Sequence, residues 1–367
     1  MSEYNRIVLI GNGFDRACGL KTSYKNFIDA YIKNAVGFFL SEHTYDSELI
    51  SIKSGNTNYR EPFNEVIEAL EKKESAKDAL KFIEKVSVIN YKHRFFEEII
   101  KTSNERWVDI EQYYFDKLLS IYELSGPLNP FKRKLGLIKE LNWLMDILTS
   151  KLQDYISVID YNANISYANS PLSSLIEKAQ SKLSHEISGL ISRHNRKDDP
   201  TEVIFLNFNY TNTARVLTNN SFIKRDIKHI NIHGQVDNLN NPIIFGYGDD
   251  TNESYRKLEF EDNNELIRKI KSFQYPVTRN YHHLLNILDS KEFDVFIIGH
   301  SCGLSDRTLL KTIFEHKNCL AIQNFHYKGE EDDFNKRMQI SRHFSDKVLM
   351  RERVLPFDIQ ATIPQTK

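Results

Sequence analysis

The sequence predicts an α/β protein: a Rossmann-like parallel sheet that carries a large inserted helical domain. Three observations lead there. The apolar run Ile7 to Ile10 stops at once in Gly11-Asn12-Gly13, as a strand buried on both faces stops in a turn. Apolar, β-branched runs return only late, at 202–208, 227–232, 242–246, 293–298 and 319–325, with helical patterns at 278–288 and 308–315. Strands alternating with helices argue a parallel sheet with right-handed crossovers. The middle of the chain, by contrast, reads as helix.

The elements follow in order. After the glycines, 22–40 reads as a helix with Tyr24, Phe27, Ile28, Tyr31 and Ile32 on one side. The Ser/Gly/Asn-containing stretch 51–59 reads as an exposed loop. A helical tract then runs from about residue 61 to about 195. Leu135, Ile138, Leu141, Trp143, Leu144, Met145, Leu148, Leu152 and Ile156 trace one apolar stripe within it, and Leu172 to Ile191 a second. Both stripes read as helix–helix packing. The expected domains are therefore 1–40 with 200–367, nucleotide-binding in type, and 41–199, helical and inserted.

Composition narrows the function. Among 367 residues, 49 Lys+Arg face 50 Asp+Glu, for a net charge of −1. A non-specific nucleic-acid binder would need a basic excess, so none is expected as partner. The fractions, 40% hydrophobic and 27% charged, are globular. Cys18, Cys302 and Cys319 are too few for a four-thiolate zinc site and lack metal-binding spacing, so no metal is expected. Neither a signal peptide nor an apolar run of the roughly 20 residues a membrane span needs is visible, so the expected setting is cytoplasmic, away from membranes.

Five motifs could carry chemistry. Gly11-Asn12-Gly13-Phe14-Asp15 follows the first strand, where backbone amides at a helix start can face a phosphate. Asn207-Phe208-Asn209-Tyr210-Thr211 ends the strand at 202–208; helix capping explains one of its polar residues but not three. In His229-Ile230-Asn231-Ile232-His233-Gly234, alternation puts the two His and Asn231 on one face. His233, at the strand end and beside a glycine, is the better general base. Phe245 to Asp250 (FGYGDD) follows and could line the same cleft, or simply turn the chain. In Trp107-Val108-Asp109-Ile110-Glu111-Gln112, Asp109 reads as an N-cap with Gln112 completing a capping box, and Asp109 or Glu111 as a functional carboxylate is the alternative.

The fifth motif is Gly299-His300-Ser301-Cys302-Gly303, a match to the G-x-S-x-G elbow of serine hydrolases. Two features count against that reading. The stretch after Ser301 is short, with only Asp332 and His343 as partners in a charged, helical-looking segment, and no HGGG-type motif precedes it. Ser305 and Asp306 read as the N-terminal cap of the next helix.

Taken together and in order, LIGNGFDRACGLKTSY, WVDIE, FNYTNTA, NIHG, FGYGDD and IIGHSCGLSDRTLL resemble the AbiH proteins of bacterial abortive infection, from Val8 to about Glu315. AbiH proteins in turn look like distant members of the sirtuin-like NAD-binding fold. The resemblance implies that Gly11, Asn12, Gly13, Phe14 and Asp15, with Thr211, Gly299 and Ser301, contact a nucleotide. Gly11 and Gly13 would hold its pyrophosphate, and Gly299 and Ser301 its adenosine ribose. It implies Asn209 at the nicotinamide ribose and His233 as the catalytic His. Asn12 and Asp15 stand where the sirtuin loop has Ala and Ser, and the four-cysteine zinc module of the deacetylases is missing. The implied activity is antiphage defence by hydrolysis of NAD or NADP at the nicotinamide–ribose bond, with the dinucleotide as substrate rather than cofactor. Asp109 or Glu111 could face the cationic ring if the helical insertion closes over the cleft. The alternative is a sensor that binds NAD or an ADP-ribose-like ligand without turnover. A phage-derived or accessory-protein trigger is implied, and homo-oligomers are compatible with either reading.

Overall fold

A computed structural model describes residues 3–55, 80–81, 83–84, 87–101, 107–124, 130–162, 173–181, 199–219 and 226–364. The chain divides into two compact units, Met1–Lys21 with Glu111–Lys367, and Thr22–Ile110.

The larger unit is built on five parallel strands: β1 (Tyr4–Ile10), β5 (Glu202–Asn207), β6 (Asp226–Asn231), β7 (Glu292–Ile298) and β8 (Cys319–Phe325). Their spatial order is β6-β5-β1-β7-β8. The order reverses beside β1, as in the doubly wound folds, so the junction of β1 and β7 is the topological switch point. Alternate residues serve opposite faces. Ile7, Leu9, Ile204, Leu206, Val295 and Ile297 pack with Leu284, Leu288, Leu309 and Ile313 from the helices Asn280–Ser290 and Arg307–Phe314. Val8, Ile10, Val203, Phe205, Phe296 and Ile298 pack with Phe14, Ala17, Leu175, Ile176 and Leu217 from the helices Asn12–Ala17, Ser173–Gln180 and Thr213–Asn219. Cover on both faces is why β1, β5, β7 and β8 read as largely apolar runs, whereas the edge strand β6 leaves Asp226 and Lys228 exposed.

One ion pair lies inside the sheet. Arg6 on β1 and Asp294 on β7 are register partners, and the guanidinium donates to both carboxylate oxygens at 2.8 and 2.9 Å. Arg6 also lies 3.8 Å from the Phe296 ring centre and donates to the carbonyls of Ala179 and Ser181, so it anchors the end of the helix Ser173–Gln180. The 33-residue helix Pro130–Asn162 buries Ile138, Leu141, Leu144, Met145, Leu148, Leu152 and Ile156, as the stripe predicts, but leaves Trp143 45% exposed.

The smaller unit holds the helix Tyr24–Glu42, the antiparallel strands β2 (Thr44–Asp46), β3 (Ile50–Ser54) and β4 (Ser87–Tyr91), and the helix Arg94–Lys101. Ser23 and Asn26 cap the first helix reciprocally, and His43 ends it at φ 57°. Tyr31 meets Phe96 edge-on and shares a hydrogen bond of 2.8 Å with Ser47.

Four expectations need correction. Of the stretch 51–59, residues 51–54 are strand, with Ile50, Ser51 and Ile52 buried, while 56–59 lie outside the described residues; β4 interrupts the tract read as helix. No strand forms at 242–246, because its backbone is used otherwise: Ile244 N–H donates to His233 O, and Gly246 N–H to Glu111. Asp109 is not an N-cap, since the helix Trp107–Tyr122 begins two residues earlier. The second stripe is helical over Ser173–Gln180, and its part beyond 181 lies outside the described residues.

Removing Asp294 would leave the Arg6 guanidinium buried without its counter-ion. Asp294→Ala should therefore cost about 3–5 kcal/mol, read as a drop in the urea midpoint.

Candidate functional site

Every strand of the parallel sheet turns its carboxyl end to one edge, and five of the predicted motifs meet there. At the switch point the loops after β1 and β7 touch. Gly11 N–H donates to Ile298 O at 3.2 Å, Gly13 N–H to Gly299 O at 2.9 Å and Phe14 N–H to Gly11 O at 2.8 Å. A Cβ on Gly11 would lie 2.4 Å from the His300 Cα, and one on Gly299, at φ +72°, only 2.2 Å from the Phe14 nitrogen. The glycines are required for this approach of two chains. The Gly11 and Gly13 amides are engaged inside the protein, on Ile298 O and Gly299 O. Tyr327 clamps the same loop by donating its hydroxyl to Gly13 O.

The polar residues after β5 brace that loop as well. Asn209 Nδ2 donates to Gly11 O at 3.0 Å, and Thr211 Oγ1 to the buried Asp15 carboxylate at 2.7 Å. Asn207 turns the chain, accepting from Asn209 N–H and donating to Thr211 O. Asn12 and Ser301 are half-buried at this edge.

Beside the switch point lies a cluster of ionisable residues, none more than 5% exposed. Asp306 is its centre. Its Oδ1 accepts from Lys271 Nζ at 2.7 Å and lies 3.2 Å from His233 Nε2, while its Oδ2 lies 3.4 Å from His300 Nε2. Lys271 also reaches Glu111, with Oε1 at 2.9 Å and Oε2 at 3.0 Å. Phe208 packs on both imidazoles, with ring centres 5.0 Å from His233 and 4.1 Å from His300. Tyr275 stacks on His233.

Local sequence explains each placement. His233 lies past the end of β6, so the alternation that fixes His229 does not govern it: His229 bonds Thr218 and stacks on Phe205. Gly234, at φ +86°, sits where a Cβ would strike Pro242 O. Glu111 and Lys271 are brought together through Asn142 of the long helix, which accepts from Tyr114 and donates to Glu265 O. Stacking of Phe115 on Tyr247, centres 4.0 Å apart, aligns FGYGDD, and Gly246 N–H donates to Glu111 at 3.3 Å. Asp306 occupies the N-cap position of the helix Arg307–Phe314 but makes no cap bond, which corrects its reading as a cap: its oxygens are used by the cluster.

Burial and charge set the protonation states. Burial opposes ionisation of Asp306, but Lys271 and the two imidazoles overcome it and hold the carboxyl well below the usual range. Burial likewise opposes the Lys271 charge, and Asp306 and Glu111 restore it. Glu111 has less support, and burial pushes it up to about 7. Burial and then Lys271 lower His233 to about 4, so it is neutral at pH 7. His300 is lowered by burial too; its Nδ1 accepts Cys302 N–H at 3.0 Å, which leaves the proton on Nε2 toward Asp306.

Ser301 is not on a nucleophile elbow. A loop and the turn Leu304–Asp306 separate β7 from the next helix, and the positive φ angles are at Gly299 and Cys302 rather than Ser301. His343 gives its Nε2 to Cys302 O at 2.8 Å, and Asp332 accepts Tyr327 N–H at 2.8 Å. Glu111 is therefore in the cluster, while the side chain of Asp109 lies outside the described residues. Lys271 escapes sequence reading because 256–279 also holds Arg256, Lys257, Arg268, Lys269 and Arg279, and only the fold singles one out.

Two outcomes follow. Gly299→Ala should lose more than about 1 kcal/mol in urea unfolding, since it adds strain at positive φ and a clash with Phe14. His233 binds its proton less readily folded, at about 4, than unfolded, at about 6.5. The unfolded chain is thus protonated first on acidification, and stability should fall as pH drops from about 6.5 to about 4. Comparing urea midpoints across that window, His233→Gln should flatten part of the slope.

Among the described residues, no helix is long and apolar enough to cross a membrane. No curated protein matches the chain significantly. Residues 7–327 match the model of the family described as Bacteriophage abortive infection AbiH, a span that takes in the switch-point glycines, the whole charged cluster and Tyr327, and the chain belongs to that family of antiphage abortive-infection proteins.

Proposed function

We propose that this protein acts in abortive infection by hydrolysing NAD or NADP at the nicotinamide–ribose bond. The observation that carries the reading is the Asp306-centred cluster of neutral imidazoles and carboxylates beside the switch point of a parallel sheet, where such folds take nucleotides. Asp306 orients His233 through Nε2, leaving Nδ1 as the base. A water oxygen forms a bond to the ribose C1′ as the bond from C1′ to the ring nitrogen breaks. The electron pair of that bond goes to the pyridinium, which leaves as neutral nicotinamide, and the water proton goes to His233. Asn209, anchored on Gly11 O, offers Oδ1 to a ribose hydroxyl. Because the Gly11 and Gly13 amides and the Thr211 hydroxyl are engaged, the phosphates rest on other donors around Asn12 and Ser301.

A specific observation favours a second reading, a sensor that binds the nucleotide without turnover: every member of the cluster is at most 5% exposed. Incubation of the purified protein with NAD and with NADP, followed by chromatography, separates the two. Steady nicotinamide release that falls about 10²–10⁴-fold in His233→Ala supports the hydrolase. A thermal shift with intact dinucleotide supports the sensor, and neither response removes both.

A further inference from the structure

The cluster holds two carboxylates but one ammonium. Lys271 lies between Glu111 and Asp306, within 3.0 Å of each. Their support is unequal. Asp306 has Lys271 at 2.7 Å and the Nε2 atoms of His233 and His300 at 3.2 and 3.4 Å. Glu111 has Lys271 and one long bond from Gly246 N–H at 3.3 Å. With Lys271 and Asp306 both charged, the cluster is already neutral, and ionising Glu111 adds an uncompensated charge in a buried space.

We propose that Lys271 is a positioning residue that fixes Asp306 as the permanent anion of the site and leaves Glu111 as the carboxyl that loads and unloads a proton, switching the cluster between neutral and singly negative. The substrate class follows from the loaded charge. A singly negative cluster suits a cationic ring and the positive charge that develops at the ribose C1′, whereas the neutral cluster does not. This consequence rests on the hydrolase reading; the proton switch itself does not.

The groups around Glu111 are consistent with the assignment. Lys271 faces it from the helix Lys271–Gln274, and Asp306 and Ser305 from the loop after β7. The hydroxyls of Tyr210 and Tyr275 feel its charge and are kept neutral by burial. His233 and His300 contact Asp306 and are neutral as well. Glu111 is the group left to exchange a proton near neutrality, at about 7.

Infrared difference spectra of the full chain between about pH 5 and about pH 8 test this, since they read a protonated carboxyl directly. The wild type should lose one such band as pH rises through about 7. Glu111→Gln should lack that band, Asp306→Asn should shift its midpoint down, because Lys271 then balances Glu111 alone, and Lys271→Arg should keep it near its wild-type midpoint. Lys271→Met should raise the midpoint by a unit or more, about tenfold in proton affinity; if that variant does not fold, Glu111→Gln and Lys271→Arg still decide. A band that survives Glu111→Gln, or a midpoint that folded Lys271→Met leaves unmoved, overturns the proposal. If NAD is hydrolysed, the rising limb of kcat against pH should follow the band across the variants. Hydrolysis without the band overturns the switch and leaves the hydrolase reading intact; the band without hydrolysis supports the switch and removes the hydrolase reading.

Discussion

An ionised carboxylate can be buried only if donors converge on it, and Asp306 imposes that demand on the whole carboxyl edge. Its donors come from the turn after β6, the loop after β7 and the segment at Lys271. Those segments are far apart in the chain, so meeting the demand fixes how the irregular region after β6 folds back over the sheet. Glu111 is held to the same ammonium, which draws the helix Trp107–Tyr122 into the arrangement. The switch-point glycines serve this geometry: only a close junction of the β1 and β7 loops leaves His300 both packed against Gly11 and within reach of Asp306.

The sheet was legible in the sequence because strands covered on both faces leave no alternative pattern. Each run from 7 to 10, 202 to 208, 227 to 232, 293 to 298 and 319 to 325 became a strand within a few residues of its expected ends. Failure came where local pattern and tertiary demand diverge. Pro242 to Gly246 has strand composition, yet its amides go to His233 O and Glu111. Ser51 lies in a stretch whose Ser, Gly and Asn suggest a loop, but Ile50 and Ile52 gain burial by pairing.

The site was legible in part, for the same reason. Glycines and histidines at strand ends announce close approach and proton chemistry, so His233 and the loops around Gly11 and Gly299 could be found. What each does depends on partners that no local window contains. Asp306 looks like a cap because it precedes a helix, and three donors claim it instead. Lys271 has no distinguishing neighbour and becomes singular only when the fold removes it from water.

The order of the strands in space has a consequence for the timing of synthesis. β1 emerges first, but its neighbours β5 and β7 end at Asn207 and Ile298, and Asp306 follows both. A nascent chain that has not reached Asp306 lacks the centre of the cluster, and one that has not reached Gly299 lacks the partner of the first loop as well. At about 5–20 residues per second, the ribosome needs at least about 15 s to get there. A chain that stops short of Asp306 therefore lacks the anion on which Lys271, His233 and His300 converge.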